Sequence, residues 1–336
     1  FNIDNAGAVI ENIYAEDPEF ADAENFDFTV STFFAEIATG DDDLVVGDLR
    51  WDPSYQTTGV IKVPEGEDNI SAAYNLARPG NIIELITSGG LYQESDKVTA
   101  TFPITFRAAE GLAEKPVWES ADDHILDIGS SVWLKGIKMT GLYTDDVTDS
   151  KDSTKYAMRS ADVVDFGYVL HCEDMEFDHF YRLDEGTLDG YIYRADAPAE
   201  YATEISFKNC MFTRVANYAF RFREPTVSPG QFGMISFENC TAADISGPFV
   251  RAELIPAEGD TAQVRVNHCT FYDIGNDVFR VDDGTDIIVK NSIFVETGEI
   301  VDAPDALVTY CDTLSTGRFN IDNAGAVIEN IYAEDP

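Results

Sequence analysis

Short stretches in which apolar and polar residues alternate recur along most of the chain. Four share one pattern: ISFKNCMF from Ile205, ISFENCTA from Ile235, VRVNHCTF from Val264 and IIVKNSIF from Ile287. Alternation with a period of two sends successive side chains to opposite faces of a strand. Each run ends in a polar residue followed by Cys or Ser. Cys210, Cys240 and Cys269 lie 30 and 29 residues apart, and Ser292 follows 23 later. YVLHCEDMEF, which carries Cys172, reads as an earlier member, as do VWLKGIKMTG and PITFRAAEG. Strands this short, spaced 22 to 38 residues apart, are too distant for tight hairpins. They predict an all-β chain wound as a right-handed parallel β-helix, whose coils stack about 4.8 Å apart. Uneven spacing is then loop insertion at the corners, as in LYTDDVTDSKDSTKY.

The termini repeat. Residues 1–18 and 319–336 are the same eighteen letters, FNIDNAGAVIENIYAEDP, at an offset of 318 residues. An offset of that size is a whole domain, and the expected reading is one period of a tandem array read from an arbitrary point; the alternative is one segment written twice with no array behind it. The stretch ISAAYNLARPGNIIELITSGGLYQESDKVTATFPITFRAAEG resembles the opening of a pectate-lyase-like β-helix domain, with a capping helix from Ile70 to Ala77. NCTFYDIGND and IIVKNSIFVETG are similar to later coils of bacterial secreted domains in that superfamily that have no assigned activity. AEDPEFADAENFDFTVS with VVGDLRW is similar to their closing segment. The order is circularly shifted, as a tandem array would give. The resemblance implies a closing segment at 1–52, a linker leading into the cap at 53–69, the cap and coils at 70–318, and the next closing segment from 319.

The cysteines number five, so they cannot all pair within the chain. Cys172, Cys210, Cys240 and Cys269 are expected at one inward coil position, as small apolar fillers rather than disulfides or zinc ligands. Cys311 falls outside this ladder and is the candidate for reactivity. Asn209, Asn239 and Asn291 precede the ladder position, where Asn tolerates the left-handed conformation of a corner and can bond its amide to adjacent coils. Ten or eleven residues after the ladder come Arg182, Arg221, Arg251 and Arg280, each between apolar neighbours and therefore outward. Two residues further on stand Asp184, Arg223, Glu253 and Asp282. This row is either a salt-bridged face or a groove whose guanidinium groups, with Arg223, pair the carboxylates of an acidic polysaccharide.

Composition narrows the chemistry. With 22 Lys and Arg against 62 Asp and Glu, the formal charge is −40, which repels nucleic acid and anionic lipid. No apolar run reaches the roughly 18 residues of a membrane-spanning helix. SVWLKG at Ser131–Gly136 lacks the Asp and His of a lyase W-x-D-H segment, and Asp282-Asp283 has no G-H-G to accompany it. No serine-hydrolase, zinc-peptidase or P-loop motif occurs. Calcium is the one cofactor the sequence offers, through Asp145, Asp146 and Asp149 or through Asp282, Asp283 and Asp286. The expected function is a non-catalytic structural repeat module of an extracellular filament or adhesin, in contact with neighbouring copies in series and laterally. The alternative is a carbohydrate-active domain, lyase or binding module, that uses the arginine row on a glycan.

Overall fold

The structure, a computed structural model, describes residues 59–142, 154–160, 167–184, 187–195, 202–222, 232–252, 262–281, 285–302, 306–314, 327–329 and 331. The chain divides at Val60 into two compact units, and the second contains nearly all of these residues. The expected closing segment at 1–52 lies outside them.

Three parallel sheets carry the coils, with eleven, ten and eight strands among the described residues. One coil shows the path: Ala202–Lys208 in the first sheet, Met211–Val215 in the second, Tyr218–Phe222 in the third, and then Phe232–Glu238 back in the first. Strands that follow one another in a sheet therefore belong to successive coils, and the chain is a right-handed parallel β-helix.

The first corner explains the Cys ladder. Asn209, Asn239, His268, Asn291 and Tyr310 all have φ between 51° and 57°, the left-handed region that turns the strand through its corner. The next residue points inward: Cys210, Cys240, Cys269, Ser292 and Cys311. Each donates its Sγ–H or Oγ–H to the carbonyl two residues back, at 2.8 Å from Ser292 to Lys290 and 3.3–3.4 Å for the thiols. A short side chain with a donor suits that place, which is why four of these five places hold Cys and one Ser. Cys172 is not in this series. It lies inside a first-sheet strand, in register with Leu134 and Phe207, while Asp174 takes the left-handed place (φ 55°) and the buried Met175 follows it. Cys311, expected outside the ladder, is its last described member and is fully buried.

The amides of the corner bond between coils, Asn239 Nδ2 to Asn209 Oδ1 at 2.7 Å. Asn291 Nδ2 instead reaches Asn267 Oδ1 at 2.8 Å, because His268 occupies the corner below it.

All five thiols are buried. Hydrogen bonding with Cys210 together with burial pushes the Cys240 thiol up to about 12, and burial raises Cys311. Since the thiolate is the nucleophile, the native protein is expected to resist maleimide at neutral pH. Mass spectrometry should show all five cysteines labelled only after denaturation.

Inside, stacked coils bring aromatic rings together: Phe177 on Phe212 at 5.5 Å, Phe207 on Phe237 at 5.4 Å and Phe271 on Phe294 at 4.9 Å between centroids. The helix Asn69–Leu76 (α1) closes one end. No side chain of its own N-cap serves its first turn; Glu94 of a neighbouring coil accepts from Ile70 N at 2.9 Å and Ser71 N at 3.1 Å, satisfying donors a helix start leaves open.

Candidate functional site

The outer face of the third sheet gathers the cations. In register, one residue per coil, stand Arg159, Arg194, Arg221, Arg251 and Arg280. Asp127 precedes Arg159 and Asp302 follows Arg280. Five of the 22 basic residues of a −40 chain thus form one uninterrupted line. Unit charges about 4–5 Å apart repel by about 1 kcal/mol even in water, so such a line needs support.

Tyrosines supply it. Tyr156, Tyr191 and Tyr218 stand three residues before Arg159, Arg194 and Arg221, with stacked rings 5.1 and 6.0 Å apart. Three of the arginines donate back to the phenol of the coil before: Arg194 to Tyr156 at 2.7 Å, Arg221 to Tyr191 at 3.3 Å, and Arg251 to Tyr218. Guanidinium carbons lie 5.0–5.5 Å from the same ring centroids, a cation–π distance. The arginines are held side by side and half-buried, while Arg280 at the end of the line is exposed.

Around Tyr191 the charges are fixed. Lys155 Nζ lies 2.6 Å from Asp189, which also accepts from Asn217 at 2.7 Å. Burial opposes ionisation of Asp189, but Lys155, Tyr191 and Asn217 hold its carboxyl below the ordinary range. Burial and the neighbouring Asp189 push the Tyr191 phenol up to about 12. It stays protonated at neutral pH and is no ready base.

The other sheets differ. On the first, Lys135 pairs with Glu173 at 3.0 Å and Lys208 with Glu238 at 3.5 Å, so signs alternate and no track of one charge forms. On the second, Asp178 gathers Arg214, Lys138 and His179 around one carboxylate, so the cations there are drawn together with an acid.

The structure revises the expected row. Arg221, Arg251 and Arg280 are members. Arg182 is not: it lies in an inserted antiparallel hairpin, paired in register with Asp189, and forms an ion pair with Asp123. Arg194 takes the row's place in that coil and Arg159 in the one before. Both were missed, although the Tyr-x-x-Arg spacing of Tyr156/Arg159, Tyr191/Arg194 and Tyr218/Arg221 is visible in the sequence. Arg223 lies outside the described residues, as do Asp145, Asp146, Asp149, Asp282 and Asp283. Asp286 is half-buried in the first sheet beside Gln263. Among the described residues no group of three or more His, Cys, Asp or Glu could hold a metal ion, and no helix is long and apolar enough to cross a membrane.

No protein-family model matches the sequence, and no curated protein does either. Solved structures do match. A PL6 family alginate lyase, AlyGC, superposes with a TM-score of 0.59 at 17% identity over 91% of this chain and 44% of its own. An arginine-to-alanine variant of the same enzyme gives 0.63 at 16% identity, over 90% and 44%. The shared feature is the parallel β-helix. The chain spans less than half the length of these two proteins.

Proposed function

We propose that this chain is a carbohydrate-active β-helix domain that binds an acidic polysaccharide, of the polyuronate class, along the arginine line of the third sheet. The observation that carries the reading is the register of Arg159, Arg194, Arg221, Arg251 and Arg280. A polyuronate bears one carboxylate per sugar, and a guanidinium is the side chain best matched to a carboxylate in shape and charge. A line of cations at strand spacing offers successive uronates successive partners. The likeness in fold to an alginate lyase supports the same substrate class. The face holds rather than cleaves, since its tyrosines are committed to the arginines and Tyr191 keeps its proton. A polymeric ligand of this kind places the domain outside the cell.

A second reading, the structural repeat module, draws on the phenol–guanidinium bonds themselves, which brace the coils without any ligand. One experiment separates the two. Arg221→Ala with Arg251→Ala removes two charge-assisted contacts of about 1.5–3 kcal/mol each. Alginate binding, measured by calorimetry at low salt, should weaken by roughly 100-fold or more while the thermal melt shifts little. Binding to the native chain should also fade as NaCl rises. A native chain that binds neither alginate nor another polyuronate, and a double variant that loses only stability, would leave the bracing role alone.

A further inference from the structure

The duplicated eighteen residues are not silent in the fold. Within the second copy, Val327–Glu329 is a strand of the first sheet, added in parallel to Ala306–Thr309. Leu307 faces Val327, Val308 faces Ile328 and Thr309 faces Glu329, and Tyr310 N donates to Glu329 O at 3.3 Å. It is the last strand of the eleven described in that sheet. The edge beneath it therefore accepts a strand of this sequence, and the same sequence occurs again at residues 1–18.

We propose that the Ala306–Thr309 edge is a docking site for a second copy of this chain, whose residues 1–18 seat there with Val9–Glu11 in the register held by Val327–Glu329. Edge strands present unpaired N–H and C=O groups that template another strand. In such strand addition the main-chain bonds give affinity and the alternating side chains give register. Here both are settled by identity, because Val9, Ile10 and Glu11 repeat Val327, Ile328 and Glu329 letter for letter. The acceptor edge and the donor segment are different parts of the chain. One copy's donor can therefore seat on the next copy's edge, which builds a series of domains when repeated head to tail and a swapped pair when two copies exchange reciprocally. Within one molecule the resident copy is favoured by an effective concentration in the millimolar range, so the exchange shows itself when the resident strand is disabled.

Donor and acceptor roles can be tested separately in the full chain. The acceptor carries Glu11→Pro and Glu329→Pro, each removing a ladder N–H, so that its edge is open and its own donor is spoiled. The donor is the fluorescently labelled native chain. Sedimentation velocity should show a one-to-one complex of donor with acceptor, and a labelled Glu11→Pro donor should form none. An acceptor that keeps its thermal melt yet binds no native donor would overturn the proposal, as would equal binding by the Glu11→Pro donor. If Glu329→Pro loses the melt, Glu11→Pro with Val327→Pro serves as acceptor under the same two criteria. The outcome is independent of whether the third sheet binds a polyuronate.

Discussion

Replacing Asp178 by alanine is expected to lower the stability of the chain by about 2–4 kcal/mol. Its side chain is 7% exposed and stands between two cations, Arg214 and Lys138, with the His179 ring beside it. Arg214 Nε donates to Oδ1 at 2.7 Å, Thr213 Oγ1 to the same oxygen at 2.8 Å, and Lys138 Nζ lies 3.2 Å from Oδ2. Removing one partner of a buried pair costs about 3–5 kcal/mol when the other is stranded without water. Arg214 keeps 47% of its side chain exposed and Lys138 31%, so both can turn to solvent, and the lower figure follows. Chemical denaturation of Asp178→Ala and Asp178→Asn against the native chain measures it. The asparagine variant is expected to lose slightly less, because it still accepts from Thr213.

The pH dependence has a definite sign. Burial opposes ionisation of Asp178, but Arg214, Thr213, His179 and Lys138 together hold its carboxyl well below the usual carboxylate range. A group whose pKa is depressed on folding binds its proton more readily in the unfolded chain. It therefore contributes stability above its unfolded pKa of about 3.9 and loses it as pH falls towards the folded value. The gap between native and Asp178→Asn should be full at neutral pH and narrow steadily below pH about 4. A gap unchanged between neutral pH and that acid range would show that the carboxylate's charge is not what stabilises this part of the second sheet.

The fold was legible because a β-helix is built from the simplest sequence signal. ISFKNCMF and ISFENCTA each write a strand, a corner and an inward small residue in linear order, and the coil at Ala202–Phe222 follows that order. Alternation also put Arg221, Arg251 and Arg280 outward, as they stand. What failed was alignment between coils. Matching Cys172 to the other cysteines used the letter and ignored the conformation, since the left-handed corner falls at Asp174, two residues later. Cys311 was passed over because Tyr310, a bulky residue, holds the corner before it at φ 57°. Arg182 was misplaced because the hairpin it belongs to pairs only with itself. Spacing from the cysteines does not distinguish an inserted hairpin from a coil strand, whereas the tyrosine three residues before Arg159, Arg194 and Arg221 marks those coils.

The largest loss is expected from Phe237→Ala, at about 3–5 kcal/mol. Phe237 is 1% exposed and sits where all three walls meet. Its ring stacks on Phe207 at 5.4 Å and 10°, meets Phe220 edge-on at 5.0 Å and lies tilted against Phe249 at 4.8 Å. Phe207 and Phe220 come from the first and third sheets of the coil before, and Phe249 lies just ahead of Val250–Ala252 in the same coil as Phe237, so truncation opens a cavity that no single strand can close by shifting. The backbone resists collapse, because Phe237 is in register with Phe207 on one side and Val266 on the other. Phe237→Leu refills much of the space and should cost markedly less. Leu76→Ala, at a side chain 77% exposed on the capping helix, should fall within about 0.5 kcal/mol of the native chain. Because each coil touches only its neighbours, stability in a solenoid is a sum of coil and interface terms. Phe237→Ala weakens two interfaces in mid-helix, so its urea transition should broaden as well as shift, with the coils on either side melting less in step. A sharp, merely displaced transition would mean that the coils act as one cooperative unit, and that the aromatic stack couples them over more than nearest-neighbour range.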